Sequence, residues 1–282
     1  MRLGIVGLVI FIAAYIASIL LYVHGGMGLP QQVAESRSGP DDTMVTVYIE
    51  DMGSNNEVLH ADVVVTPGLA LIDPATHKLK DDLTVGVTSA LTPAKHIWTK
   101  GALPEITPVS FRLAGEVAEW PFDKYRTGPI TVDLSSGAAH QPVTAGTTTF
   151  VDRLLGWDVA VTRADAGAAA PYHLNMSRTK STAALGVVIL GVLVALAGVS
   201  VFVAVQTVYN RRKFQPPMTT WYAAMLFAVM PLRNALPDAP PFGSWIDITV
   251  VLWVIVALVV SMVVYIYCWW RHLRPDDPAD TD

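Results

Sequence analysis

Hydrophobic residues fall into two patterns along the chain: long unbroken runs near both ends and short alternating segments in the middle. Three runs, 3–23, 182–208 and 246–270, reach the length of about 20 apolar residues with which a helix crosses a membrane. Hydrophobic residues make up 52% of the chain and charged residues 15%, which agrees with such spans. The pattern therefore predicts an integral membrane protein with a separate domain between its spans.

The first run is longer than the apolar region of a signal peptide, which has about 7–15 residues, and no small-x-small cleavage site follows it. We therefore expect residues 1–24 to be an uncleaved transmembrane anchor. The next segment, 25–40, is rich in glycine, glutamine and serine, and it predicts a linker.

Basic clusters at 211–213 and 271–274 orient the spans, since such clusters stay in the cytoplasm. One more crossing must then lie between them, and its apolar part, 218–232, is about 22 Å long as a helix. This predicts four transmembrane helices in the plasma membrane, both termini cytoplasmic and the middle domain on the periplasmic side. In the alternative topology, 216–245 is interfacial or re-entrant and the chain has three spans.

The stretch "MPLRNALPDAPPFGSWID" connects the last two predicted spans and carries Arg233 and Asp247. We expect these residues to form an ion pair at the membrane interface, with Asp247 favoured by the N-terminus of its helix. The pair has two interpretations: a structural clamp that closes the hairpin, or a polar pocket for a lipid headgroup.

The middle segment, 41–178, predicts an all-β extracytoplasmic domain inserted between the spans. Its short segments are rich in β-branched residues, alternate in polarity and are separated by Pro, Gly, Asn and Asp. We expect strands at 44–50, 58–67, 83–90, 109–120, 129–136, 147–154, 157–164 and 172–178. Seven or eight such strands are typical of an antiparallel β-sandwich. The remaining pieces are a three-helix region, 179–272, and a disordered acidic tail, 273–282.

The segment "EWPFDKY" is the most distinctive part of this domain. Pro121 fixes its own φ and favours an extended residue before it, so the flanking aromatics straddle a bend. One interpretation is a corner held together by aromatic packing. A second is a partner-docking surface formed by Trp120, Phe122, Asp123 and Tyr125, because Trp and Tyr are favoured interface anchors. A pocket for a lipid or sugar is the third.

No catalytic motif is found, and the five histidines between 60 and 173 lack metal-ligand spacing. We therefore predict a non-enzymatic protein without catalytic residues, metal or cofactor. The single cysteine, Cys268, leaves the β domain without a disulfide. Residues 41–176 carry 17 acidic and 9 basic side chains, a balance that disfavours nucleic acid, or anionic headgroups, as a partner over the whole face of the domain.

The order of anchor, β domain with "WPFDKY" and terminal spans with "MPLRNALPDAPPFGSWIDITVVLWV" resembles an actinobacterial membrane-protein family catalogued as a domain of unknown function. The resemblance covers about residues 40–272. It extends to LucB-like accessory subunits of the mycobacterial Mce lipid-uptake complex. That likeness implies lipids and an ATPase, permease or substrate-binding subunit as partners. A fainter likeness, to pentameric ligand-gated channels with their Phe-Pro-x-Asp turn, is discounted, because this chain has a span before its β domain and lacks their paired cysteines.

Two functions follow. The first is an accessory or scaffold subunit of a cell-envelope complex, of the lipid-transport type, which docks through its β domain and small-residue helix faces. The alternative is a stand-alone membrane receptor or lipid-binding protein with its ligand in the β domain or at the Arg233–Asp247 hairpin.

Overall fold

The computed structural model describes residues 31–34, 42–91, 94–137, 139–143, 145–163, 171–209 and 217–272, and eight helical residues between positions 12 and 23. The predicted linker segments 25–30 and 35–40, the basic cluster 211–213 and the tail 273–282 lie outside these residues. Two compact units, 1–183 and 184–282, make up the chain.

The first unit is a β domain of twelve described strands. Alternation of buried and exposed positions, with Val45, Val47 and Ile49 facing inward along one strand, produces these elements. Their bounds are β1 (Gln31–Ala34), β2 (Thr43–Gly53), β3 (Val58–Thr66), β4 (Leu83–Val87), β5 (Ala94–Trp98), β6 (Thr107–Gly115), β7 (Lys124–Thr127), β8 (Val132–Ser136), β9 (Gln141–Val143), β10 (Ala145–Asp152), β11 (Trp157–Arg163) and β12 (Tyr172–Arg178).

Eight of these strands form one large sheet in the order β1-β10-β2-β3-β6-β7-β12-β11, and four form a second sheet in the order β5-β4-β8-β9. The two sheets share one hydrophobic core, to which Phe111 and Phe150 of the large sheet and Leu83 of the small sheet contribute. The edge strands β1 and β11 approach each other, so the large sheet is barrel-like. The prediction of a wholly antiparallel sandwich was wrong at one pair, because β10 runs parallel to β2.

The pairing places several strand ends together at one end of the large sheet, which we call the helix-proximal end. Arg178, the last residue of β12, pairs with Trp157, and its neighbour Ser177 pairs with Lys124 at the start of β7. Gln31 pairs with Asp152, which ends β10. The chain therefore enters the sheet at β1 and leaves it after β12 at the same end. Residues 31–34 form a strand although they lie in the predicted linker.

The described helices after the β domain are α1 (Lys180–Val208), α2 (Pro217–Asn234) and α3 (Leu252–His272), the last preceded by a π-helical turn (Asp247–Val251). Within the described residues, two helical segments are long and apolar enough to cross a membrane: Lys180–Val208 and Asp247–Arg271. Helix α2 is not one of them, since Pro, Arg, Asn and Thr dilute its apolar residues. The described helices thus supply two of the four predicted spans.

Side chains of the second unit connect the three helices. The Tyr222 hydroxyl in α2 donates to the Ser200 carbonyl oxygen in α1 at 3.2 Å. The Tyr222 ring also lies 5.6 Å from the Tyr265 ring in α3. Ala197 and Ala204 are buried on the same side of α1 as Ser200, where small side chains allow close helix packing.

Candidate functional site

A buried ion pair lies at the helix-proximal end of the β domain. The Arg178 Nε atom donates to Asp123 Oδ1 at 2.5 Å, and Arg178 Nη2 donates to Asp123 Oδ2 at 3.0 Å. The two side chains are only 1% and 0% exposed. The guanidinium carbon lies 4.4 Å from the Trp157 ring centre and 5.8 Å from the Trp120 ring centre. We call Trp120, Asp123, Tyr125, Trp157 and Arg178 the Asp123 cluster.

Local sequence explains why each member faces inward. A short 3-10 turn, Val117–Glu119, lies in the connection between β6 and β7. The Trp120–Pro121 peptide bond that follows it is cis. The Phe122 amide donates to the Glu119 carbonyl oxygen at 2.9 Å, so the chain turns before Asp123. On β12, inward positions alternate with outward ones, and Arg178 continues the buried phase. A buried arginine requires a partnered charge, and Asp123 provides it.

Tyr125 completes the cluster from β7. Its ring packs edge-on against Trp157, with 5.6 Å between the ring centres. Burial raises the pKa of the Tyr125 phenol above its ordinary value, and the nearby Asp123 carboxylate raises this pKa further. Gly115 permits the packing, because a Cβ there would overlap the Tyr125 ring and the Lys124 carbonyl oxygen. These contacts make the cluster a rigid corner.

The four predicted docking residues are therefore split by the structure. Trp120 and Asp123 are fully buried and Tyr125 is 2% exposed, so these three side chains do not lie on the surface of the β domain. Their aromatic rings and the carboxylate are instead used to bury and neutralise Arg178. Phe122 is 68% exposed and is the one member of the predicted set that faces outward.

The structure also brings Arg233 and Asp247 together. Arg233 Nε and Nη2 donate to the two Asp247 carboxylate oxygens at 3.0 and 2.9 Å. Arg233 Nη2 also donates to the Pro240 carbonyl oxygen at 2.7 Å, and the Gly243 amide donates to Asp247 Oδ2 at 2.9 Å. The guanidinium carbon stacks 4.1 Å from the Phe242 ring centre. These polar atoms bind one another and the loop backbone, which is the arrangement that a structural clamp requires.

A shallow groove of about 330 Å³ crosses the outer face of β7, β12 and β11. Lys124 and Arg126 project from β7 on one side, and Asn175, Ser177 and Asp158 complete its polar lining. In this arrangement two cations and one carboxylate face the same space.

Arg178 and Trp157 are the cluster members that were absent from the predicted site. The signal for Arg178 was its position on the inward phase of a strand that also buries Leu174 and Met176. Within the residues that the structure describes, no three His, Cys, Asp or Glu side chains converge as a metal site would require.

In the part of the chain that the structure describes, the protein has a large β domain with a buried ion pair at its helix-proximal end, and two helices of membrane-spanning length. The chain belongs to the family described as domain of unknown function DUF4436, whose model matches residues 33–176. A second model, domain of unknown function DUF8686, matches residues 178–272. No curated protein matches the sequence. The second match begins at Arg178, two residues after the first one ends, so the bond between Asp123 and Arg178 joins the segments that the two models describe.

Proposed function

We propose that the protein is a non-enzymatic accessory or scaffold subunit of a membrane complex in the cell envelope. One face of helix α1 carries the proposal. That face carries three small, exposed residues at helical spacing: Gly191, Ala195 and Gly198. A Cβ built at Gly191 or at Gly198 would have no neighbour within 4 Å. Small residues at this spacing let a second helix approach closely inside a membrane. A helix of another subunit is the partner that such a face fits.

The membrane location is supported by the exposure of the apolar helices. Only 22% of the most apolar window of Lys180–Val208 and 28% of that of Asp247–Arg271 is buried. Exposed apolar surface of this extent is stable in contact with lipid or with other apolar helices.

For the topology we propose four spans, with α2 as the short third crossing and the β domain on the periplasmic side. Eighteen helical residues span about 27 Å, close to the thickness of the hydrocarbon core. The basic clusters then lie in the cytoplasm with both termini. The sequence resemblance suggests a specific form of the scaffold role, namely lipid transport of the Mce type. Its partners would be an ATPase, permease or substrate-binding subunit.

The experiment that tests the proposal is affinity purification of the tagged native chain from its own membranes in mild detergent, with mass spectrometry of the proteins recovered. We expect a stoichiometric membrane-protein partner. Gly198→Leu should abolish its recovery, because the added side chain fills the exposed face. Val192→Leu is the matched control, since Val192 is also exposed but lies about 100° around the helix from Gly191.

Recovery of the chain alone, or equal recovery of the partner with both variants, would contradict the scaffold role. The groove beside Lys124 and Arg126 favours a second candidate, a lipid-binding protein without an obligate partner. In that case the purified chain should carry a stoichiometric anionic lipid that is lost in Arg126→Gln.

A further inference from the structure

Two large apolar side chains project from the helix-proximal end of the β domain. Phe122, in the β6–β7 connection, is 68% exposed, and Leu155, in the β10–β11 connection, is 76% exposed. Both connections lie at the end where β12 finishes, as the strand pairing requires. These side chains therefore face the surroundings beside the point where the chain enters α1.

Each connection is hydrogen-bonded to a residue directly before α1, Arg178 or Thr179. The Phe122 connection is fixed by Asp123, the next residue, through its two bonds to Arg178. The Leu155 connection is fixed by Gly156, whose carbonyl oxygen accepts from the Thr179 amide at 3.0 Å.

Gly156 adds a second constraint on the Leu155 connection. Its φ of +85° favours glycine, and a Cβ there would lie 2.8 Å from Thr182 Oγ1 in the first turn of α1. The backbone of this connection therefore lies directly against the helix. Both exposed side chains keep a fixed position relative to residues 178–182.

In the proposed membrane protein, that first turn marks the membrane surface. Helix α1 begins at Lys180 and is apolar from Ala183 to Val199, so Lys180 lies near the headgroups and the following residues enter the hydrocarbon. Apolar side chains at the same level enter the boundary between headgroups and acyl chains.

We propose that the helix-proximal end of the β domain is a lipid-contacting surface, in which Phe122 and Leu155 insert into the membrane interface. The inference rests on the proposed membrane location but goes beyond the scaffold role. Exposure alone does not carry it, because Ile106 is 61% exposed directly before β6 begins, at the opposite end of the sheet.

The test uses the full chain in phosphatidylcholine nanodiscs, with Cys268→Ser as background. Single cysteines replace Phe122, Leu155 or Ile106 and carry a fluorophore, and the lipid carries a nitroxide quencher on an acyl carbon close to the headgroup. We expect several-fold stronger quenching at positions 122 and 155 than at 106. A fourth variant, Val194→Cys, reports insertion of α1 through a nitroxide at the acyl-chain end, since Val194 is exposed in mid-helix.

The outcomes separate this inference from the proposed function. If Val194→Cys is quenched while positions 122 and 155 are quenched no more than position 106, the lipid-contact proposal fails and the membrane location stands. If these side chains contact another protein in the cell instead of lipid, positions 122 and 155 should likewise be quenched no more than position 106 in nanodiscs. If Val194→Cys is not quenched, the membrane location itself fails. Positions 122 and 155 are on separate connections, so if one variant misfolds the other still tests the proposal, which requires quenching in each variant that folds.

Discussion

Removing Arg178 should destabilise the β domain more than any surface substitution. Arg178→Met keeps the length and apolar packing of the side chain but leaves the Asp123 carboxylate buried without its partner. Both side chains are almost fully buried, so solvent does not screen the lost interaction. Breaking a buried ion pair by removing one partner costs about 3–5 kcal/mol of unfolding free energy, mostly as the penalty of the isolated charge. Asp123→Leu should have a similar cost.

The double variant, Asp123→Leu with Arg178→Met, should recover much of this loss, because no charge then remains buried. Urea unfolding of the full chain in detergent, followed by tryptophan fluorescence, measures the effect, since Trp120 and Trp157 lie beside the pair.

The matched control is the exposed pair of Arg153 and Glu50, whose side chains are 43% and 34% exposed. Glu50→Gln should cost less than about 1 kcal/mol. The reasoning about burial would be refuted if Arg178→Met were no more destabilising than Glu50→Gln, or if the double variant lost the sum of the two single losses.

Three further results are expected. Gly115→Ala should lower the unfolding free energy of the β domain, because the new methyl group overlaps the Tyr125 ring, whereas Gly86→Ala, whose Cβ would lie 3.9 Å from its nearest neighbour, should be tolerated in the same urea titration. Stability should decline as the pH rises above about 10, where the unfolded chain ionises Tyr125 but the raised pKa keeps the folded phenol neutral. Tyr125→Phe should make that decline shallower, and an unchanged slope would speak against the raised pKa. Asp247→Ala should lower the melting temperature of the helical unit, and adding Arg233→Ala should restore part of it; further loss in the double variant would contradict the clamp.

The strand content of the β domain was accessible from the sequence where segments were long and alternated clearly. The expected strand at 58–67 is β3, and those at 157–164 and 172–178 are β11 and β12. Strands β1, β5, β7 and β9 were missed, since three to five residues carry too little periodicity, and β7 begins within the segment interpreted as a bend. The parallel pairing of β10 with β2 was also missed, because alternation shows which face is buried but not which strand lies alongside.

The candidate site was only partly accessible for the same reason. "WPFDKY" was recognisable as a special segment from its proline and aromatics, yet the sequence suggested an outward-facing role for residues that the structure buries. Asp123 and Arg178 are 55 positions apart, and nothing local indicates that they meet. The Arg233–Asp247 contact was easier to anticipate, because only a short hairpin separates the two residues.

The parallel pairing of β10 with β2 has a consequence for the newly made chain. Val47 in β2 lies beside Phe150 in β10, so about 100 residues must be synthesised before this side of β2 is covered. At about 5–20 residues per second, β2 has an open edge for about 5–20 s. An uncovered strand edge is a template for pairing with other chains. During that interval the nascent domain is most exposed to aggregation, and a chaperone that shields β2 would be of greatest use then.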